Sequence, residues 1–255
     1  MPRGAKVDGP EWPYPFWVAH RGAGKLAPEN TLAAFRLGAE HGYRMFECDA
    51  KLSSDGIAIL LHDATLERTS NGRGTAGDRP WSELSRLDAG GWHSRRFAGE
   101  PLSSLEALLR FCVANRFALN IEIKPTPGVE RRTGEAVAGL AASCWTGTPA
   151  PLPLMTSFSP EALQGAKEAQ PELPRGLLLD TLWNGWLEAA SGLGCRVIVC
   201  NYALWNRAVV DQVHAAGMRA LSYTVNDESV AQQLIELGTD GIITDRVDRF
   251  SPAEP

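Results

Sequence analysis

Ionisable residues recur at the ends of short apolar runs in this chain. His20 and Arg21 close the run 16–20, Glu47 and Asp49 lie near the end of 43–52, and Glu122 and Lys124 close 118–124. His62-Asp63 follows 57–61, Tyr223 and Asn226 end the run that starts at 219, and Asp245 follows 241–244. Side chains at i and i+2 of a strand share a face, so Glu47 projects with Asp49, and Glu122 with Lys124. Ionisable groups beside apolar strands are costly unless paired or metal-bound. Carboxylates converging on one point repel unless a cation stands between them, and oxygen-only ligands select a hard ion, Mg²⁺ or Ca²⁺. The competing reading is a structural salt bridge of one pair with Arg21 or Lys124. Two histidines beside such a site form a pair for general acid–base work. Arg21 and Lys124 supply positive charge for an anion. A metal, two cations and two histidines together suit hydrolysis of a phosphate ester.

These residues must be carried by a scaffold that brings strand ends together. The chain alternates strand and helix. Strands are expected to begin near 16, 44, 118, 152, 175, 196, 219 and 241, with 57–61 returning from an Asp55-Gly56 turn as a hairpin arm. Helices are expected over 103–115, 134–145, 160–169, 183–190, 206–216 and 228–237, and a first one to about 41 with Asn30 as its cap. Eight parallel strands with intervening helices in about 250 residues is the size of a TIM (β/α)8 barrel, whose active sites lie at the C-terminal strand ends. A doubly wound sheet is less favoured, because no G-x-G-x-x-G follows the first strand and no P-loop is present. The expected organisation is a single barrel domain over 1–255, with a small insertion after the second-strand hairpin, about 63–101, of little regular structure.

The ordered motifs resemble the glycerophosphodiester phosphodiesterases. The similarity runs through His20-Arg21-Gly22, Pro28-Glu29-Asn30-Thr31, Glu47-Cys48-Asp49, Asp55-Gly56 and His62-Asp63. It continues in Leu66-Glu67-Arg68-Thr69, Leu87-Asp88-Ala89-Gly90, Glu122-Ile123-Lys124, Tyr223-Thr224-Val225-Asn226 and Gly241-Ile242-Ile243-Thr244-Asp245, covering roughly 16–247. The resemblance implies a TIM barrel with a divalent metal held by Glu47, Asp49 and Glu122. It implies catalysis by His20 and His62 and phosphate contacts from Arg21 and Lys124. The substrate would be a small glycerophosphodiester, cleaved to glycerol 3-phosphate and an alcohol such as choline or ethanolamine. By resemblance His20 is the base and His62 the acid, although the sequence does not distinguish the two roles. Tyr223 stands where a tryptophan or phenylalanine is common, and its hydroxyl is expected to alter how glycerol or head group is held. Cys48 replaces an aliphatic residue and should point into the barrel wall.

Composition fits this reading. The chain has 255 residues, 25 basic against 30 acidic, a net charge of −5, 44% hydrophobic and 22% charged residues, which excludes disorder and disfavours a nucleic-acid-coating protein. No run is long enough to span a membrane. The five cysteines have no C-x-x-C spacing and read as reduced, mostly buried thiols. Without an apolar h-region in 1–15, the expected location is cytoplasmic; Pro2, Pro10, Pro13 and Pro15 suggest an extended arm there. Two other readings stand beside the main one. A lysophospholipase D-like enzyme would need an apolar groove or membrane-facing loop, whereas the insertion carries Arg68, Arg73, Arg79, Arg95 and Arg96. A non-catalytic phosphodiester-binding module would have lost the histidines or the carboxylates.

Overall fold

The computed structural model describes residues 12–252. Pro2, Pro10 and the rest of 1–11 lie outside the described residues, and Pro13 and Pro15 run without regular structure into the first strand. The order is β1 (Trp17–Ala19), α1 (Leu32–Glu40), β2 (Met45–Leu52), β3 (Ala58–Leu60), α2 (Trp81–Leu84), α3 (Leu105–Asn115), β4 (Ala118–Ile123) and α4 (Glu130–Trp145). It continues with β5 (Leu154–Ser157), α5 (Pro160–Ala169), β6 (Arg175–Leu179), α6 (Trp186–Gly192), β7 (Val197–Asn201), α7 (Arg207–Ala215), β8 (Arg219–Tyr223), α8 (Glu228–Leu237) and β9 (Gly241–Thr244).

All strands but β3 run parallel, in the order β1-β9-β8-β7-β6-β5-β4-β2, and the β1–β2 pairing at Ala19 and Phe46 closes the ring. This is a TIM barrel. β3 pairs antiparallel with β2, Ala50 opposite Leu60 and Leu52 opposite Ala58, so the Asp55-Gly56 hairpin lies where the sequence placed it. The period-2 pattern sets both faces of the wall. Met45, Ala118, Leu154, Leu178, Val197, Leu221 and Ile243 fill the barrel interior. Their strand neighbours Phe46, Cys48, Ala50, Leu119 and Ile121 pack outward with the helices. Cys48 therefore points into the wall, as expected.

Helix starts follow local chemistry. The side chains of Ser104, Ser159, Asn206 and Asp227 accept first-turn amides of α3, α5, α7 and α8. Each such cap is worth about 1 kcal/mol. α1 differs from expectation. Thr31, not Asn30, is its cap, with Oγ1 accepting the Ala34 amide at 3.3 Å. Asn30 instead adopts φ +60° and turns its amide towards Asp49. α4 begins four residues before its expected start, and Leu152 lies outside β5, half-exposed. α6 begins at Trp186 rather than 183 because Gly185, at φ +88°, turns the chain there.

Residues 63–101 hold α2, the 3-10 turns Ala76–Asp78 and Arg95–Phe97, and a small apolar cluster. That cluster packs Leu66, Ala76, Leu84, Ala89 and Leu102 under Ile59 and Leu61. Cys48, Cys112, Cys195 and Cys200 are buried free thiols, and Cys144 is half-buried. No helix among the described residues is long and apolar enough to cross a membrane.

Candidate active site

β2 and β4 pair in register, Glu47 opposite Asn120 and Asp49 opposite Glu122, so alternation aims Glu47, Asp49, Asn120, Glu122 and Lys124 into the mouth. One oxygen from each of Glu47, Asp49 and Glu122 can lie within 4.8 Å of the others, and all three residues are buried. Glu47 Oε1, Asp49 Oδ1 and Glu122 Oε1 lack any hydrogen-bond partner. Lys124 Nζ stands 2.6 Å from Glu122 Oε1 and 3.7 Å from Asp49 Oδ1, as ion contacts without hydrogen-bond alignment. Burial and the neighbouring carboxylates push Glu47 well above the usual carboxylate range and Glu122 up to about 7. Burial opposes ionisation of Asp49 too, but Arg21 and Lys124 outweigh it and hold that carboxyl low. Three buried, mutually repelling carboxylates, countered at Glu122 Oε1 and Asp49 Oδ1 only by the ion contacts of Lys124, form a hard-ligand set that fits a divalent cation.

The β1–α1 loop supplies the second layer. Arg21, at φ +51°, donates its backbone N–H to Glu47 Oε2 at 3.0 Å and places Nε 3.1 Å from Asp49 Oδ2. Asn30 donates Nδ2 to Asp49 Oδ2 at 2.8 Å and accepts the Asp49 amide at 3.0 Å, which fixes that carboxylate. A Cβ on Gly24, at φ +55°, would lie 2.1 Å from the Asp245 carbonyl, so only glycine lets this loop pack on the end of β9. That packing brings Asp245 Oδ1 within 2.7 Å of His20 Nδ1, while Asn226 Nδ2 donates to Asp245 Oδ2 at 2.9 Å. His20 Nε2 faces Glu47 Oε2 at 3.8 Å.

His62 follows β3. Its Nδ1 meets Asp63 Oδ1 at 2.7 Å. Burial pushes the imidazole below its usual value, against the pull of Asp49 and Asp63. Lys51, two residues beyond Asp49 along β2, donates Nζ to the backbone carbonyls of His62 and Asp63, and burial brings its ammonium down to about 8.

On the far side, a small cavity is lined by His20, Glu47, Asn120, Glu122, Phe158, Leu178, Tyr223 and Ile243. Phe158 and Tyr223 meet edge to face at 5.9 Å, and Lys124 Nζ stands 5.5 Å over the Phe158 ring. The Tyr223 hydroxyl donates to the Leu179 carbonyl at 3.0 Å, which pins the ring to the end of β6.

The structure thus gathers His20, Arg21, Glu47, Asp49, Glu122, Lys124 and Tyr223 at one barrel mouth, with His62 on the adjoining loop. Sequence reasoning singled out no role for Glu29, Lys51, Asp63, Arg68, Asn120 or Phe158. Glu29, Asp63 and Arg68 lie within the motifs that carry the family resemblance, and that placement was the signal available for them. Trp186 and Trp205 are buried packing residues rather than mouth residues, and Trp205 donates Nε1 to the Leu221 carbonyl at 3.2 Å. His93 and His214 bond the Lys25 carbonyl and Asp240, away from this cluster.

A sequence model described as the glycerophosphoryl diester phosphodiesterase family matches residues 20–249. The chain belongs to that family. A glycerophosphodiester phosphodiesterase of Caldanaerobacter subterraneus subsp. tengcongensis is 31% identical over 233 residues, 89% of this chain and 93% of the relative. An Oleispira antarctica phosphodiesterase, solved with its product sn-glycerol-3-phosphate, superposes with a TM-score of 0.88 at 33% identity, covering 95% of this chain and 98% of that one. A glycerophosphodiester phosphodiesterase of Agrobacterium tumefaciens superposes at 0.79 with 31% identity, covering 93% and 99%. The chain is an enzyme of this class, a glycerophosphodiester phosphodiesterase.

Proposed function

We propose that the enzyme cleaves small glycerophosphodiesters to glycerol 3-phosphate and an alcohol, with a divalent metal, Mg²⁺ or Ca²⁺, held by Glu47, Asp49 and Glu122. The observation that carries the metal is the convergence of three buried carboxylates, with one oxygen of each within 4.8 Å of the others. When bound there, the cation supplies Lewis-acid charge for the phosphate oxygens. Arg21 and Lys124 add fixed positive charge at the same mouth. The Coulombic pull of Glu122 and Asp49 keeps Lys124 protonated despite its burial.

The two histidines divide the proton transfers, and their surroundings favour the reverse of the assignment by resemblance. The depressed His62 is neutral near pH 7, and with Nδ1 committed to Asp63 its Nε2 is free to accept a proton, as a base requires. His20 holds Nδ1 against Asp245 at 2.7 Å and turns Nε2 towards Glu47 at 3.8 Å, which leaves it the acid's part. His62 would take the proton of the nucleophile, water or the glycerol 2-hydroxyl, and His20 would protonate the leaving alkoxide. Tyr223 and Phe158 would pack against the organic part of the diester, and the Tyr223 hydroxyl, already bonded to Leu179, would act by placing its ring.

Product analysis tests this reading. Glycerophosphocholine incubated with metal-loaded protein should give glycerol 3-phosphate and choline in equal amounts. Glycerol with phosphocholine, or no cleavage by folded protein, would overturn it.

A further inference from the structure

Arg68 sits on the insertion and is about half exposed, yet it makes four short bonds to two carboxylates. Nε and Nη2 reach Asp63 Oδ2 and Oδ1 at 2.6 and 3.0 Å, while Nη1 and Nη2 reach Glu29 Oε2 and Oε1 at 2.7 and 2.8 Å. Glu29 in turn accepts Arg21 Nη1 at 2.7 Å. The result is one continuous chain of alternating charge, Asp49–Arg21–Glu29–Arg68–Asp63–His62. It joins a metal-site carboxylate on β2 to the imidazole on the loop after β3.

We propose that Arg68 is the positioning residue for His62: its forked guanidinium, anchored on Glu29, fixes the plane of the Asp63 carboxylate that holds His62 Nδ1. Only a planar fork can grip two carboxylates this way, because an ammonium is a point charge without a plane. A lone surface ion pair is worth little, so stability is a weak explanation for four aligned bonds. Orientation is a better one. A histidine that exchanges protons through Nε2 needs Nδ1 held by a fixed acceptor, and Asp63 alone could rotate about its side-chain torsions. Glu29 supports the reading from the other side. Burial opposes its ionisation, but the hydrogen bonds from Arg68 and the charge of Arg21 keep it anionic. The insertion is thereby tied, through Glu29, to the β1–α1 loop that carries Arg21.

The proposal rests on the functional reading above, and its test separates the two. If the wild type cleaves glycerophosphodiesters, Arg68→Gln should lower kcat about ten- to a hundredfold with KM changed by less than about threefold. Arg68→Lys should recover only part of the loss. In a His62→Ala background, Arg68→Gln should cost nothing further, because its effect runs through His62. Equal losses in both backgrounds, or an unimpaired Arg68→Gln, would overturn the positioning role. A second measurement needs no turnover. Nitrogen NMR of the His62 ring in metal-free protein should show a single neutral tautomer with the proton on Nδ1 in the wild type, and a mixture in Arg68→Gln. The same single tautomer in both proteins would reject the role, even were the protein to prove inactive on every diester.

Discussion

The mouth of the barrel has two unlike halves. β9, β1, β2 and β4 stand side by side in the ring and end in charge: Asp245, His20 with Arg21, Glu47 with Asp49, and Glu122 with Lys124. β5, β6, β7 and β8 complete the ring, and the exposed large apolar side chains Phe158, Leu182, Trp183 and Tyr202 follow the first three of them. In the charged half nearly every polar side chain is held twice or more, as Asp49 is by Asn30 and Arg21. In the apolar half the Tyr223 bond to the Leu179 carbonyl fixes one of the two aromatic rings, Tyr223 and Phe158, that line the cavity. Fixed charge is what transition-state stabilisation demands, because reorientation during the reaction costs free energy. Packing against an alcohol tolerates adjustment, since each apolar contact contributes little by itself. The contrast predicts that the charged half sets kcat and the apolar half sets KM and head-group choice.

The largest expected effects lie in the charged half. His20→Ala and His62→Ala should each lower turnover about 10²-fold or more in folded protein. Trp183→Ala or Leu182→Ala should change KM by no more than about tenfold and leave kcat nearly intact, at the scale of a few lost apolar contacts. Large kcat losses in the second pair would erase the division between the halves.

A smaller effect concerns stability without metal. Burial and the neighbouring Asp49 carboxylate push the Glu122 carboxyl up to about 7 in the folded protein, from an ordinary 4.5. A raised folded value means that the native state binds the extra proton. The associated stability is complete below about 4.5 and is lost as pH rises through about 7. Thermal melts of metal-free protein should therefore fall across that window, and saturating metal should flatten the trend. Glu47→Gln should raise the metal-free melting temperature at alkaline pH while weakening the response to metal, since it removes a carboxyl whose ionisation burial, Asp49 and Glu122 oppose. A lower melting temperature would show that repulsion is not what strains the cluster.

Smaller again is a shift in the pH profile. With His62 as base, the acid limb of kcat/KM should lie below the ordinary histidine value of 6.5, because burial disfavours the imidazolium. Asp63→Asn removes a hydrogen-bonding anion that favours the imidazolium, so that limb should move to still lower pH. A limb that stays put, or an alkaline limb that moves instead, would return the base role to His20. The smallest change is expected from Tyr223→Phe, which loses one hydrogen bond worth about 1 kcal/mol and should alter KM a few-fold.

The two halves were not equally legible in the sequence. Barrel strands and inward carboxylates follow from period-2 alternation and local runs, so Glu47, Asp49, Glu122 and the ring of strands could be read directly. The hairpin was legible from Asp55-Gly56. What escaped were contacts made by the fold across long sequence separations, such as Glu29 with Arg68 or Lys51 beneath His62. In sequence Asn30 suits a helix cap or a place in the site, because asparagine serves both a cap and a left-handed turn, and only the nearby Asp49 decides for the second. Trp183, Trp186 and Trp205 look alike in sequence, and only packing separates the exposed first from the buried other two.

The central claim is that the three buried carboxylates hold the metal that turnover requires. Isothermal titration of Mg²⁺ or Ca²⁺ into metal-stripped protein, run beside glycerol 3-phosphate release on the same samples, tests it most directly. The account predicts one site per chain, lost in Glu47→Gln, with turnover rising in step with occupancy and abolished by EDTA. Full turnover in stripped protein, or unchanged metal binding in Glu47→Gln, would contradict it.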